Sequence, residues 1–193
     1  METRLNPWDT CDHLNTKKKW MTWIRGMLRR GWSKYPVAKE YKSSKARLVP
    51  ILDNEGNQTY YKSGKKKGEK RMRYEAECEC CGKTFPAHKL QVDHIVSAGS
   101  FTETEHIPEY LTNLFCGKDN LQLLCVPCHE IKTHMDRYNL TWEEAYLDKQ
   151  VIAKTNQPTK KQKEELLGAG FKEDEISNKD KRRDCYKKLL GDS

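Results

Sequence analysis

The chain has 193 residues, of which 36% are apolar and 33% charged, whereas globular domains average about 45 to 50% apolar. So little apolar material excludes one large core and favours small modules, one of them held by a metal whose binding energy becomes folding energy. The net charge of +8 calls for a polyanionic partner, and the absence of an apolar leader in METRLNPWDT or of any apolar run of about 18 residues argues against export or a membrane span, so a reduced, cytoplasmic protein is expected.

The first predicted element is a helix capped by Asn15 or Thr16 and running to about Arg30, with Trp20, Trp23, Ile24, Met27 and Leu28 on one stripe and Gly31 as its stop. Seven basic residues and no acid lie between Lys17 and Lys34. Lys18, Lys19, Arg25, Arg29 and Arg30 fall on the opposite face, which either meets phosphates or is an ordinary solvated face. Residues 47–62 read as a hairpin, RLVPIL against NQTYYK across Asp53-Asn54-Glu55-Gly56, with Pro50 confining the first strand to an edge. From Lys62 to Arg73 seven cations oppose Glu69 alone. Within that run, Gly64-Lys65-Lys66-Lys67-Gly68 is a flexible loop that tracks a phosphate backbone or merely links, and Arg71 follows it.

Two CxxC pairs come next, Cys78/Cys81 and Cys125/Cys128. A tight turn lets each pair present both thiolates to one tetrahedral ion, and two such knuckles complete a closed four-cysteine zinc site. Cys80 is out of register, while Gly82 is placed to close the first turn. The rival, a disulfide framework, needs an oxidising compartment. Cys11, Cys116 and Cys185 are left as buried small hydrophobes. The 43 residues between the pairs carry the chemistry. Leu90 to Val96 reads as a strand containing Asp93-His94. The stretch from Ser97 to Lys118 holds a short helix, Pro108 to Phe115, packed down by Tyr110, Leu111, Leu114 and Phe115. Leu121 to Cys125 reads as a second strand, and the helix after the second knuckle carries His129 in its first turn, with Lys132 and Asp136 at helical spacing. Strand, loop, strand, knuckle, helix is a ββα unit. His88, His106 and His134 read as surface histidines, His134 being the best placed for a phosphate contact.

The last third opens with the capping box Thr141-Trp142-Glu143-Glu144 and a helix to about Lys154, with Trp142, Ala145, Tyr146 and Val151 inward. Two short helices follow, Thr159 to Leu167 and Ser177 to Leu190, separated by Gly168-Ala169-Gly170. The second bears Lys179, Lys181, Arg182, Arg183, Lys187 and Lys188, either as an accessory DNA-binding pair or as a packing appendage.

The strings CxxCG, VDHIV and DNLQLLCVPCHEIKT, over roughly Tyr74 to Met135, resemble the zinc-ribbon HNH endonucleases of the ββα-metal class. The resemblance implies a small zinc-stapled α+β core flanked by basic helical extensions. It also implies His94 as general base, Asp93 as the metal ligand before it, Asn120 as the residue fixing the loop that bears the base, and His129 as a ligand of the catalytic ion. Asn120 and His129 are nine apart, as the family pattern wants; Thr133 stands where some members place a further imidazole. A narrower resemblance to phage-encoded, free-standing homing-type enzymes rests on WIRGMLRRGW and on the loop ending in Leu114-Phe115-Cys116.

The chemistry agrees with those roles. Phosphodiester hydrolysis needs an activated water, a cation on the phosphate oxygens and a rigid frame, and an imidazole held in one tautomer can take a proton from water near neutrality. Asp93 oxygen and His129 nitrogen suit Mg²⁺, Mn²⁺, Ni²⁺ or Zn²⁺. Neighbours on a regular strand point to opposite faces, so Asp93 and His94 share a phosphate only if the strand end is distorted. The expected organisation is a DNA-contacting region over 1–72, a nuclease domain over 73–138 and a helical accessory region over 139–193. The expected activity is that of a metal-dependent endonuclease acting on double-stranded DNA as a monomer or homodimer; few exposed aromatics are expected, which favours DNA over RNA. The alternatives are a zinc-knuckle binder without turnover and an accessory factor of packaging or replication machinery.

Overall fold

Thr16 accepts a hydrogen bond from Lys19 N at 3.2 Å and so starts α1 (Lys17–Trp32). The computed structural model describes residues 5–191, and the chain separates into two units, one up to Val126 and one from Pro127. The architecture is α+β, combining helices with two small antiparallel sheets. No helix among the described residues is long and apolar enough to cross a membrane.

In the first unit α1 buries Met21, which clusters with Phe101, Tyr110 and Leu114, while Ile24, Leu28 and Trp32 pack at the margin. The inward stripe is therefore 21, 24, 28 and 32, at helical spacing. Trp23 and Met27, expected inside, are 47% and 46% exposed. Apolar residues cover two adjoining stripes of this helix, and only the partner decides which one is buried. Gly31 does not end α1; a Cβ there would sit 3.5 Å from the Phe115 ring, so the glycine marks a close approach. The partner is α3 (Ile107–Leu114) with the loop before it, and the expected short helix is present with Tyr110 and Leu114 buried.

A second helix, α2 (Pro36–Lys45), was not anticipated; Pro36 at its first turn was the available signal. It buries Ala38 and Tyr41. The next segment is a three-stranded sheet in the order β1 (Arg47–Pro50), β2 (Met72–Glu77), β3 (Thr84–Pro86). β1 is an edge strand, as Pro50 requires, but it pairs with β2, Leu48 opposite Tyr74, rather than with residues 57–62. The turn at Asp53 to Gly56 does form, closed by Asp53 N to Asn57 O at 2.9 Å. Two bridges, Leu52 with Gln58 and Tyr60 with Lys70, fold the chain into a short branched arm between β1 and β2. Contrary to the expectation of few exposed aromatics, Tyr60 and Tyr74 are 48% and 60% exposed.

The second sheet is the hairpin of β4 (Leu90–His94) and β5 (Leu121–Cys125), with Asp93 opposite Gln122 and His94 opposite Leu121. Leu90, Leu121, Leu123 and Leu124 are fully buried.

The second unit contains α4 (Val126–Tyr138) apart from its first residue, α5 (Trp142–Thr155), α6 (Thr159–Gly168) and α7 (Lys179–Gly191). Asn139, at φ 53°, ends α4 in the left-handed conformation an asparagine tolerates. The capping box forms at Thr141 and Glu144. Val151, Leu166, Ile176, Cys185 and Tyr186 make the core, with Leu147 at its edge; Tyr146, expected inward, is 51% exposed. Cys11 and Cys116 are only half-buried, unlike Cys185.

Candidate metal centre and active site

Cys78 opens a turn in which Gly82 N donates to Cys78 O at 2.8 Å, and Gly82 adopts φ 68°, which a side chain would strain. Cys125 N donates to Cys78 Sγ at 3.3 Å, and the ligand atoms of Cys78, Cys81, Cys125 and Cys128 all lie within 4.8 Å of one another. None of the eight cysteines forms a disulfide. Four sulfurs converging on one point, three of them in buried residues, suit a tetrahedral metal such as zinc. Burial pushes the Cys78 thiol up, but backbone amides of Cys125, Cys81 and Cys80 outweigh it and bring the thiol down to about 7, toward the thiolate a metal needs.

Glu79, inside the first knuckle, ties it to the rest of the unit. Its carboxylate accepts from Leu123 N at 2.5 Å, Tyr41 Oη at 2.8 Å and Lys45 Nζ at 2.7 Å, and its own amide donates to Leu123 O. Burial pushes this carboxyl up, yet Lys45, Tyr41 and the Leu123 amide prevail and hold it below the ordinary carboxylate range. Nothing local in the sequence distinguishes Glu79 from the surrounding acids.

His94 occupies the last rung of β4 and is buried. Its Nε2 lies 2.9 Å from Leu114 O, and the Trp32 ring stacks on it at 4.3 Å and 30°. A carbonyl can only accept, so Nε2 carries the proton and Nδ1 keeps the lone pair. Nδ1 has no hydrogen-bond partner among the described residues, yet it is not sealed, since the one fully buried side-chain atom without a partner among them is Gln157 Oε1. Trp32 and Leu114 O were not foreseen; they arrive from α1 and α3, and no spacing in the sequence records that meeting.

Asn120 follows the long loop and holds its start. Its Oδ1 accepts from Val96 N at 2.8 Å, its Nδ2 donates to Val96 O at 3.1 Å, and its backbone carbonyl accepts from Ile95 N at 2.9 Å. Gln122 Nε2 adds a bond to His94 O at 2.9 Å. The chain leaving β4 is thus clamped at three consecutive residues. Pairing stays regular through His94 and the bend begins at Ile95, so the strand-end distortion expected for Asp93 and His94 is absent from the ladder. Asp93 and His94 leave adjacent rungs on opposite faces. Asp93 is half-buried, and its side chain makes no hydrogen bond or ion pair with another described residue. His129, half-buried in the first turn of α4, likewise leaves its ring unengaged among the described residues, while its carbonyl accepts from Thr133 Oγ1.

Several basic residues expected at a phosphate are occupied inside the fold. Arg25 donates to Ser100 Oγ and Phe101 O, and Arg29 to Tyr110 Oη and Gly99 O, so these two stitch α1 to the long loop instead of lying on the opposite face. Lys132 is buried and paired with Asp136 at 2.6 Å. His134 is not a surface histidine: it lies 3.3 Å from Asp148 and against Tyr138. Arg182 is buried, bonded to Gln162 Oε1 and Ile176 O. Helical periodicity cannot distinguish a cation that faces water from one that satisfies a buried carbonyl. Lys18, Lys19, Arg30, Lys65, Lys66, Lys67, Arg71 and Arg183 are exposed, Lys19 donating to Asn15 Oδ1 and Arg183 lying 3.6 Å from Asp148.

A stretch of 63 residues, 33% of the chain, is 41% identical to a protein of Lactococcus phage SK1 named "Probable HNH endonuclease". The chain covers 60% of that protein, less than two thirds of its length. No family model matches the chain, and no solved structure matches it.

Proposed function

We propose that the chain is a metal-dependent DNA endonuclease of the HNH type, in which His94 is the general base. The observation that carries this reading is the imidazole itself: one nitrogen spent on Leu114 O, the ring held flat by Trp32, and the other nitrogen left with a lone pair. A histidine with only a packing role would not need its outgoing strand pinned by both ends of the Asn120 amide. In the reaction His94 Nδ1 takes a proton from water, the water oxygen bonds to phosphorus, and the P–O3′ bond breaks with the 3′ oxygen leaving. Asp93 and His129, whose side-chain ligand atoms are uncommitted among the described residues, would hold the divalent ion once DNA binding turns the end of β4 so that the Asp93 carboxylate reaches the phosphate His94 serves, with Mg²⁺, Mn²⁺, Ni²⁺ or Zn²⁺ all suited to that pair. That ion supplies charge neutralisation at the phosphate and the departing oxygen. The four cysteines hold a separate, structural zinc. One such site cuts one strand, so nicked circles precede linear product, and a free-standing homing-type enzyme encoded by a phage is the biological setting proposed.

Supercoiled plasmid incubated with the protein and Mg²⁺ or Mn²⁺ is the test. Nicking that EDTA stops, and that slows about 10²- to 10⁴-fold in His94→Ala, is expected from the loss of a general base. Plasmid that stays intact with every divalent ion, but is retarded equally by both proteins, would replace this reading with a zinc-knuckle binder lacking turnover.

A further inference from the structure

The arm between β1 and β2 is the part of the first unit that neither knuckle nor base explains. Between Lys62 and Arg71 it carries Lys62, Lys65, Lys66, Lys67, Lys70 and Arg71, and none of the six has a carboxylate partner among the described residues. The next cation along the chain, Arg73, is paired with Glu75. Six unpaired charges on one short segment repel one another, a cost that a polyanion removes.

The arm and the two strands at its base, β1 and β2, expose apolar side chains along one face. Cross-strand partners share a face, and Leu48 opposite Tyr74 with Pro50 opposite Met72 define it, continued by Leu52 and Tyr60 at the two bridges. Leu48, Leu52, Tyr60 and Tyr74 are 53%, 53%, 48% and 60% exposed. At the root of the basic loop a shallow cleft of about 600 Å³ lies among Asp53, Gln58, Tyr60, Tyr61, Lys62 and Arg71, the Asp53 carboxylate being taken up by the Glu55 and Asn57 amides, and Lys66 and Arg71 each stand 5.9 Å from the Tyr61 ring. Cations at the rim and aromatics on a narrow ribbon match a nucleic-acid groove, whose walls are phosphate and whose floor is base edges.

We infer that residues 47–75 form a DNA-docking ribbon, with the Gly64–Gly68 loop on the phosphates and the Tyr60/Tyr74 face in a groove of duplex DNA. This rests on the endonuclease reading only for the choice of DNA as the polyanion. The ribbon sets where the protein sits, and the clamped imidazole sets what happens there.

The test is fluorescence anisotropy with the full chain and a mixed-sequence duplex, magnesium omitted, across a series of salt concentrations. Lys65, Lys66 and Lys67 changed together to Gln should lower the slope of log affinity against log salt by about 2 to 3 and weaken binding about 10- to 100-fold. Tyr60→Ser with Tyr74→Ser should weaken binding about tenfold at unchanged slope, because apolar contacts release no counterions. Thermal melting of each variant establishes that it is folded, and plasmid nicking by the wild type is scored separately. A folded lysine variant with the wild-type slope overturns the ribbon even if the wild type nicks plasmid. The expected slopes without nicking uphold the ribbon and overturn the nuclease. A tyrosine variant that changes oligomeric state but not DNA affinity makes the face a contact between copies and overturns the proposal.

Discussion

Asn120 shows how much one side chain can do in this chain. Its amide holds both backbone groups of Val96, and its carbonyl holds Ile95, so the exit of the strand that ends in His94 has one available path. Asn120→Ala should therefore cut nicking about 10²-fold through misplacement of the base, at little cost in DNA affinity, measured as single-turnover rate against binding. Asn120 was legible in the sequence through the motif resemblance and its place just past the long loop, whereas Trp32 and Leu114 O, which fix the ring, were not. Glu79 was also invisible, although it accepts from α2 and β5 at once. Its carboxyl is held low in the fold, so it contributes stability that is present above its ordinary pKa and lost as pH falls through the lower folded value. Glu79→Gln should cost about 1 to 3 kcal/mol in neutral denaturant titrations, and the loss should vanish at a pH acid enough to protonate the wild type.

Among elements, α1 departs furthest from its expected role. The basic helix is half an internal strut, with Arg25 and Arg29 bonded to the 99–110 stretch, and its exposed cations are those outside the stripe that Met21 defines. α7 departs in the same way, since Arg182 fills a buried site between α6 and the turn at Ile176. The phenol of Tyr186 on α7 is fully buried, donating to Glu165, and burial with that carboxylate pushes it up to about 12. Because the folded value lies above the unfolded one of about 10, the contribution is complete below that pH and is lost as pH rises through about 12. Alkaline titration followed by tyrosinate absorbance and circular dichroism should show ionisation of Tyr186 together with loss of helix, and Tyr186→Phe should move that transition to higher pH.

For the molecule as a whole, the two units draw on different sources of stability. The first has small apolar clusters and supplies Cys78, Cys81 and Cys125 to the four-sulfur cluster, so a metal held there would add to its folding energy. The cluster of Val151, Leu166, Ile176, Cys185 and Tyr186 has no knuckle cysteine in it. Removing metal with a strong chelator should abolish the unfolding transition assigned to the hairpin and knuckles while leaving the transition of α5, α6 and α7 in place, as read by calorimetry before and after zinc is restored. Retention of both transitions after metal removal would show that the sulfur site contributes nothing to folding.

The sequence by itself determined the covalent spacings and local periods: the two knuckles, the strands around Asp93-His94 and Leu121 to Cys125, the α3 segment and the capping box at Thr141. These are short-range, because a turn, a cap or an alternation is written within a few residues. Only the tertiary structure decided which stripe of α1 turned inward, that β1 would find β2 across an arm, that Trp32 would lie on His94, and which arginines would be spent on carbonyls. Each of those depends on groups tens of residues apart competing for the same buried surface, and no local pattern records the winner.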